Sequence, residues 1–328
     1  LEKCRYTSLD DEEEYSIDVI QPEKIEFKQN SYEDGENSII SFPEFLLLVL
    51  DVCTGGEQPA SHYQPDKLIE KFDALKTYFT AGEFYEKMLY YRLLLDYYTI
   101  RRDIKDGQGN YSLILKGPKD DSDKLKQYQS MLYVSTEAFY NWLKPYLRKL
   151  EQDELHSCAE MLAFLKKGDN ERHSILPARK DLSYKASGNI RYWFWRLDYY
   201  LWEQRSTFFN EEEQKIVEHY VFRRNRSIEH LHPQDESHNE EWEEEAVHSF
   251  GNLAMISQSF NSQQSNDHIQ IKFARIHEQI SNKSLQSIKM FLMCKLADFN
   301  YQNWTMKLAK EHENEMIEFL ERSFYISD

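Results

Sequence analysis

The chain has 328 residues, of which 41% are hydrophobic and 14% aromatic, and its formal net charge at pH 7 is −17. A chain of this length and composition can bury a sizeable core, which excludes an intrinsically disordered polypeptide. Its 10 glycines and 8 prolines are too few for an all-β architecture of many tight turns, and its acidity argues against a non-specific DNA coat, because phosphate neutralisation supplies most of such affinity.

Targeting and redox signals point to a reducing, cytoplasmic compartment. No apolar run approaches the roughly 20 residues that span a bilayer, and there is no signal peptide. The cysteines are far apart and form no Cys-x-x-Cys motif, so neither a structural zinc site nor disulfides are expected; they are Cys4, Cys53, Cys158 and Cys294. Because the first residue is Leu rather than Met, we expect a fragment of a longer protein.

Charge and composition divide the chain into three parts. Residues 1–37 carry 12 acids and 4 bases, which predicts an acidic linker with a short strand near 17–20. Residues 38–205 carry 24 of each and follow a helical pattern, which predicts an α-helical domain. Residues 206–328 carry 21 acids and 12 bases and are predicted to form a separate unit that starts at the turn near 210–214.

The helices of the middle part are predicted from a 3.6-residue hydrophobic period. Ser41 is expected to cap the first helix, with Pro43 in its first turn and Glu44 three residues on, and the helix should end near Cys53. Five further helices are predicted over 66–79, 83–104, 136–151, 154–167 and 188–205, the last of them central to the domain. Residues 111–116 are predicted as a short strand or extended loop, and the aromatic residues of 83–104 are expected to be core rather than a base-stacking platform.

The last third carries the residues that suggest chemistry. Residues 215–226 are predicted as a strand with a basic exit, and Glu-His-Leu-His-Pro-Gln (229–234) and an acidic insert (235–245) follow. A second extended piece is predicted over 250–256. A helix is then predicted to start in Ser259–Asn266, and Lys272 should lie on an amphipathic helix.

These segments resemble a known nuclease domain. Glu-His-Leu-His-Pro-Gln, then Gly-Asn-Leu, then Asn-Ser-x-x-Ser-Asn and a lysine are similar to the His-Asn-His (HNH, His-Me finger) domain at the C-terminal end of GmrSD-type, modification-dependent (type IV-like) restriction endonucleases. The HNH domain of CRISPR effector nucleases has a similar string, with Asp in place of Glu229. The resemblance covers about residues 205–328 closely and the helical region loosely.

The resemblance implies a fold, a function and partners. The fold would be mainly α, with a helical middle domain and a small α+β ββα-metal nuclease domain. The function would be Mg²⁺- or Mn²⁺-dependent cleavage of DNA, modified or from phage, in anti-phage defence. An NTPase domain would lie in the full-length protein or a partner subunit, and no membrane would be involved. The Asp-Gly-Gln-Gln-Arg nucleotide-binding motif of such proteins is missing from this sequence.

The resemblance also implies roles for five residues. Glu229 resembles the acidic metal ligand, His230 the general base, and Asn252 the asparagine that holds the loop between two strands. Asn261 resembles the second metal ligand, and Lys272 a lysine of uncertain role, for which a phosphate contact is one reading. The chemistry agrees, because imidazole can accept a proton near neutral pH and a carboxylate with an amide oxygen suits Mg²⁺.

Other readings remain open at this point. Arg223, Arg224 and Arg226 could hold flanking phosphates of DNA. Gly251-Asn252 could be only a turn and Asn261 only a helix cap, and the acidic insert could be only a solvated loop. A catalytically silent DNA-binding or regulatory module and an RNA-directed nuclease are the two competing functions.

Overall fold

A computed structural model describes residues 35–104, 111–120, 122–135, 137–224, 226–234, 242–257 and 269–325. Over these residues the chain is mainly helical with two small antiparallel sheets, so the predicted mainly α class is confirmed. The helices before residue 205 are α1 (Phe42–Cys53), α2 (Leu68–Leu75), α3 (Ala81–Tyr98), α4 (Ser122–Val134), α5 (Phe139–Glu151), α6 (Cys158–Arg172) and α7 (Ile190–Glu203). Those that follow are α8 (Arg205–Phe208), α9 (Glu211–Val217), α10 (Glu244–Val247), α11 (Ile269–Ser281), α12 (Ile288–Leu296) and α13 (Met306–Arg322).

Two antiparallel sheets accompany the helices. The first has the strand order β1 (Gly35–Ser38), β2 (Ile100–Ile104), β3 (Tyr111–Leu115). The second is a hairpin of β4 (Arg226–His230) and β5 (Leu253–Ser257). Residues 35–37 of the predicted linker therefore belong to a sheet, whereas the expected strand near 17–20 lies outside the described residues.

Helix α7 is the centre of the core, as the sequence predicts. Twelve of its fourteen residues are buried, and it packs against α4, α12, α13 and β5. The last three of these elements lie after residue 205. One core therefore joins the predicted middle and C-terminal parts, and the boundary between 205 and 206 stays a prediction.

A fully buried ion pair ties α7 to its neighbours. Arg196 NH1 donates to Asp169 Oδ2 of α6 over 3.0 Å, and both side chains are fully excluded from solvent. Tyr128 and Tyr192 each donate a hydroxyl hydrogen bond of 2.7 Å to the same carboxylate oxygen. Arg196 Nε donates to Ser323 Oγ at the end of α13 over 3.0 Å. The network therefore connects α4, α6, α7 and the C-terminal end of α13.

The helix predicted over 83–104 is wrong in its last six residues. Helix α3 begins with a capping box between Thr80 and Glu83 and ends at Tyr98. Thr99 is extended and starts strand β2, whose terminal residues Ile100 and Ile104 are buried. β-Branched residues lose side-chain freedom in helices and pack well on a sheet, which explains the change of structure at this point.

The aromatic residues of α3 are only partly core. Phe84 and Tyr91 are buried, but Tyr85, Tyr90 and Tyr97 are exposed. The expectation that the whole set is core is therefore wrong. The mixed three- and four-residue spacing distributes these rings around the helix, so one helix face cannot bury them all.

The strand predicted over 215–226 is also wrong. Asn210 caps helix α9 in a capping box with Glu213, and the helix ends at Val217. Strand β4 begins only at Arg226. The local hydrogen bonds of the cap and the three acids of the first turn favour a helix here, although residues 216–222 are apolar enough to suggest a strand. Helix α4 was not predicted.

Candidate active site at the β4–β5 hairpin

The hairpin carries the predicted catalytic pair. In its antiparallel register, His230 lies opposite Leu253 and Glu229 opposite Ala254. Successive side chains of a strand point to opposite faces, so Glu229 and His230 meet different neighbours. Glu229 is 6% exposed and His230 is 4% exposed, so each of these polar groups needs partners inside the protein.

The imidazole of His230 has three neighbours. Its Nε2 lies 3.0 Å from Nδ1 of His248, and the side-chain nitrogen of Gln234 lies 2.9 Å from its Nδ1. The ring of Tyr184 meets it edge-on, with 4.5 Å between ring centroids. Burial, followed by the proximity of His248 and Lys272, lowers the pKa of His230 to about 3. His230 is therefore uncharged at neutral pH, and one of its ring nitrogens carries a lone pair.

The carboxylate of Glu229 is paired with Lys272. Lys272 lies on α11, and its Nζ is 2.5 Å from Oε1 of Glu229. The same ammonium group donates a 2.5 Å hydrogen bond to the backbone oxygen of His230. Both side chains of the ion pair are buried, so Lys272 neutralises the carboxylate and fixes the end of β4.

Asn252 closes the loop between the two strands. Its Oδ1 accepts hydrogen bonds from the backbone nitrogen of His232 (2.8 Å) and from Trp304 Nε1 (3.2 Å). Its Nδ2 donates to the backbone oxygens of His232 (3.0 Å) and Val247 (2.9 Å). The amide thus uses both of its donors and both of its acceptor positions in one fully buried contact set.

A buried lysine holds the same turn from the other side. Lys289 of α12 donates to the backbone oxygens of Phe250 (2.8 Å) and Leu253 (2.6 Å), which flank Gly251-Asn252. Burial lowers the pKa of Lys289 to about 7. The turn is therefore fixed by two sets of hydrogen bonds. Asn252 binds the backbone of His232 in the loop after β4, and Lys289 of α12 binds the two backbone oxygens that flank the turn.

Gly251 lies where helix α13 approaches this turn closely. A Cβ atom at Gly251 would lie 2.1 Å from the backbone oxygen of Ala309 and 2.8 Å from Cβ of Glu313. We therefore expect Gly251→Ala to lower the free energy of unfolding by about 1–3 kcal/mol, because helix and turn must separate. Gly188→Ala is the matched control, since its Cβ would meet nothing within 4 Å. Urea denaturation of both variants measures the difference, and equal midpoints would contradict the close approach.

Of the remaining predicted residues, Arg226 is the first residue of β4, whereas the described contacts do not bring Arg223 or Arg224 to His230. Arg223 is exposed. Arg224 is exposed as well, and its guanidinium lies 4.1 Å from the ring centroid of Tyr133 and donates to that residue's backbone oxygen over 3.2 Å. The side chain of Arg226 and all of Asn261 lie outside the described residues.

Three contributors to the site were missed by sequence reasoning. Tyr184, His248 and Lys289 reach His230 or the Asn252 turn through tertiary contacts only. His248 offered a weak signal, because it lies three residues before Gly251. Lys289 offered a stronger one, since it is a lysine inside the apolar segment 288–294.

The hairpin therefore combines a buried imidazole, a buried carboxylate and a fixed asparagine in one place. Residues 169–319 match the family model described as GmrSD restriction endonucleases, C-terminal domain. This part of the chain is therefore similar to the C-terminal domain of restriction endonucleases of the GmrSD type. The match includes Asp169, helix α7 and the whole hairpin.

Two further comparisons and one structural finding complete this description. Neither curated proteins nor solved structures match the chain. Every helix in the described residues is too short or too polar to cross a lipid bilayer.

Proposed function

We propose that the chain is a Mg²⁺- or Mn²⁺-dependent DNA endonuclease of the HNH type, acting in a GmrSD-like restriction system against phage. The observation that carries this proposal is the uncharged, buried imidazole of His230, one residue from the buried carboxylate of Glu229. Both residues lie inside the part of the chain that matches the restriction endonuclease family.

His230 acts as the general base in this proposal. Hydrolysis of a phosphodiester needs a water molecule that loses a proton as it attacks phosphorus. Because His230 carries no charge at neutral pH, one of its ring nitrogens holds a lone pair that would take up that proton once the water replaces the present neighbour, Gln234. Asn252 positions His230 indirectly, by fixing the loop that follows β4 through His232.

The donor chemistry of Glu229 fits a magnesium ion. Mg²⁺ in nucleases is commonly held by one or two carboxylates, with water and substrate phosphate completing its shell. Among the residues described, no group of three His, Cys, Asp or Glu side chains is placed to hold a metal, so Glu229 would act with Asn261 and the substrate. A bound ion would stabilise charge on the phosphate and the leaving oxygen. It would compete with Lys272 for Glu229, so we propose that metal binds tightly only with DNA.

Several features of the system are part of the same proposal. Arg223, Arg224 and Arg226 contact phosphates that flank the cut; Arg224 would do so only if it left the ring of Tyr133. The DNA is modified or of phage origin, the enzyme works in the cytoplasm, and an NTPase domain controls cleavage. An RNA-directed nuclease is the alternative substrate class, because the same centre can attack either polymer.

The Lys272–Glu229 pair favours a second candidate function. A carboxylate already neutralised by a buried lysine at 2.5 Å does not need a metal ion. The chain could then be a catalytically silent module that binds DNA or regulates a partner. Such a module would keep its affinity for DNA and show no metal-dependent cleavage.

A plasmid assay separates these functions. Purified protein is incubated with supercoiled plasmid or with RNA, in Mg²⁺, Mn²⁺ or EDTA, beside a His230→Ala preparation that reveals contaminating nucleases. We expect DNA cleavage only by the unmodified protein and only with metal. Equal cutting by both preparations would refute the catalytic assignment. DNA binding without cleavage would support the silent module, and cleavage of RNA alone would identify the other substrate class.

A further inference from the structure

The imidazole rings of His230 and His248 contact each other at the end of the β4–β5 hairpin. Nε2 of His230 lies 3.0 Å from Nδ1 of His248, and the two rings are 5.2 Å apart at an angle of 73°. Tyr184 covers both rings, with centroid distances of 4.5 Å to His230 and 5.7 Å to His248. The two imidazoles therefore form a hydrogen-bonded pair shielded on one side by a phenol ring.

The neighbours of this pair define where its protons lie. A hydrogen bond between two imidazole nitrogens contains one proton, so one ring donates and the other accepts. The side-chain nitrogen of Gln234 lies 2.9 Å from Nδ1 of His230 and 3.4 Å from its Nε2, so the shorter contact is to Nδ1, and an amide nitrogen can only donate. Nδ1 of His230 must then be the acceptor. Its Nε2 carries the proton and donates to Nδ1 of His248.

His248 is itself held by its backbone. The backbone nitrogen of His248 donates to the backbone oxygen of Glu244 over 3.2 Å, and its backbone oxygen accepts from the backbone nitrogen of Tyr184 over 3.0 Å. The preceding residue, Val247, is hydrogen-bonded through its oxygen to Asn252. The acceptor that His248 presents is thus fixed to the same turn that closes the hairpin.

We propose that His248 is a positioning residue that keeps His230 in the tautomer with its proton on Nε2 and its lone pair on Nδ1. The hydrogen bond to His248 fixes the ring rotation, and the Nδ1 lone pair then points to the side where Gln234 lies. This inference rests on the proposed function, since it supplies the nitrogen that receives the proton of the attacking water. Gln234 would give up its place at Nδ1 to that water molecule.

The tautomer can be measured without any assay of cleavage. In the full chain labelled with ¹⁵N-histidine, with the signals of His230 assigned through His230→Ala, we expect a pyrrole-type Nε2 and a pyridine-type Nδ1. The Nε2 proton should be protected from exchange with solvent. In His248→Leu this protection should be lost, whereas His248→Asn, which keeps an acceptor near the same place, should retain much of it.

Cleavage kinetics test whether the hydrogen bond between His248 and His230 matters for catalysis. We expect His248→Leu to lower kcat for DNA cleavage by about 10- to 100-fold, the range seen for partners that orient a histidine at a metal site. KM should stay unchanged, and His248→Asn should restore much of the rate. His219→Leu is the matched control, because this exposed histidine lies at the end of α9, and it should leave the spectrum of His230 and the rate unchanged.

The possible results distinguish the positioning role of His248 from the proposed nuclease function. A His230 ring with its proton on Nδ1, or an Nε2 proton equally protected in His248→Leu, would overturn the role of His248, whatever the activity. The expected tautomer in a protein that cuts no DNA would support the hydrogen-bond assignment and refute the proposed function. A full cleavage rate in His248→Leu would show that the pair is not needed for catalysis and would overturn the positioning role.

Discussion

Replacing His230 with alanine is expected to lower the rate of metal-dependent DNA cleavage by about 10²- to 10⁴-fold, the usual contribution of a general base. The proton of the attacking water would have to pass to bulk solvent, since the described neighbours of the ring offer no second group in the same place. Gln234 is an amide that cannot accept a proton at neutral pH, and His248 lies on the other edge of the imidazole.

The measurement must separate lost chemistry from lost folding, because His230 is buried and alanine leaves a cavity. Nicking of supercoiled plasmid is therefore compared with the thermal unfolding of the same preparations. His230→Asn is the less disruptive variant, and it should be similarly inactive with a smaller loss of stability. His219→Ala, on the surface of α9, should cut at the full rate. A His230→Asn protein that retains a rate within a few-fold of normal would remove His230 from the mechanism.

How far the sequence predicts the fold depends on where local and tertiary signals agree. The capping box of Ser41 and Glu44 is present as expected, and α1 begins at Phe42. Helix α7 is also predicted, because a segment that is apolar on all sides can only be central. At residues 100–104 the local helical period continues but the chain enters a sheet. The pairing partners that decide this lie more than 60 residues upstream at β1 and beyond residue 110 at β3.

The candidate site divides in the same way. Glu229, His230 and Asn252 were found because their order and spacing form a recognisable string, and the hairpin places all three at one end of the sheet. His248 and Lys289 were missed because their roles depend on distance in space. His248 is separated from His230 by 18 positions and contacts it through a ring nitrogen, while Lys289 reaches two backbone oxygens from a different helix.

Several basic side chains of this acidic chain are buried and bound to groups inside the protein. Lys272 is bound to Glu229, Lys289 to backbone oxygens, and Arg196 to Asp169. None of these charges is at the surface, so they contribute little to the attraction of phosphates. In a chain with net charge −17, the proposed binding of DNA would therefore depend on a few local contacts or on a partner.

Arg196→Met is expected to lower the free energy of unfolding by about 3–5 kcal/mol, because the buried carboxylate of Asp169 loses its 3.0 Å ion pair and keeps only the more distant Arg172, at 3.7 Å. The destabilisation should affect α6, α7 and the end of α13 together, since Arg196 lies on α7 and contacts the other two. Two controls test the cause. Arg191→Met, an exposed arginine of the same helix, should change stability by no more than about 0.5 kcal/mol. The double variant Asp169→Asn with Arg196→Met should recover part of the loss, because no unpaired charge remains.

The destabilisation caused by Arg196→Met is expected to depend on pH, because it acts through the carboxylate of Asp169. Burial raises the pKa of Asp169, but the hydrogen bond from His173, the charge of Arg196 and the Tyr128 hydroxyl outweigh it and hold the pKa below 3.8. In the unmodified protein the carboxylate therefore stabilises the fold at neutral pH and loses this effect only as the pH falls through that low pKa. Without Arg196 the pKa rises, and the folded variant takes up the proton at a higher pH. The stability difference between the two proteins should shrink as the pH falls from 7 towards 4, measured by urea denaturation at each pH. A difference that is constant over this range would show that lost packing, rather than an unpaired charge, causes the destabilisation.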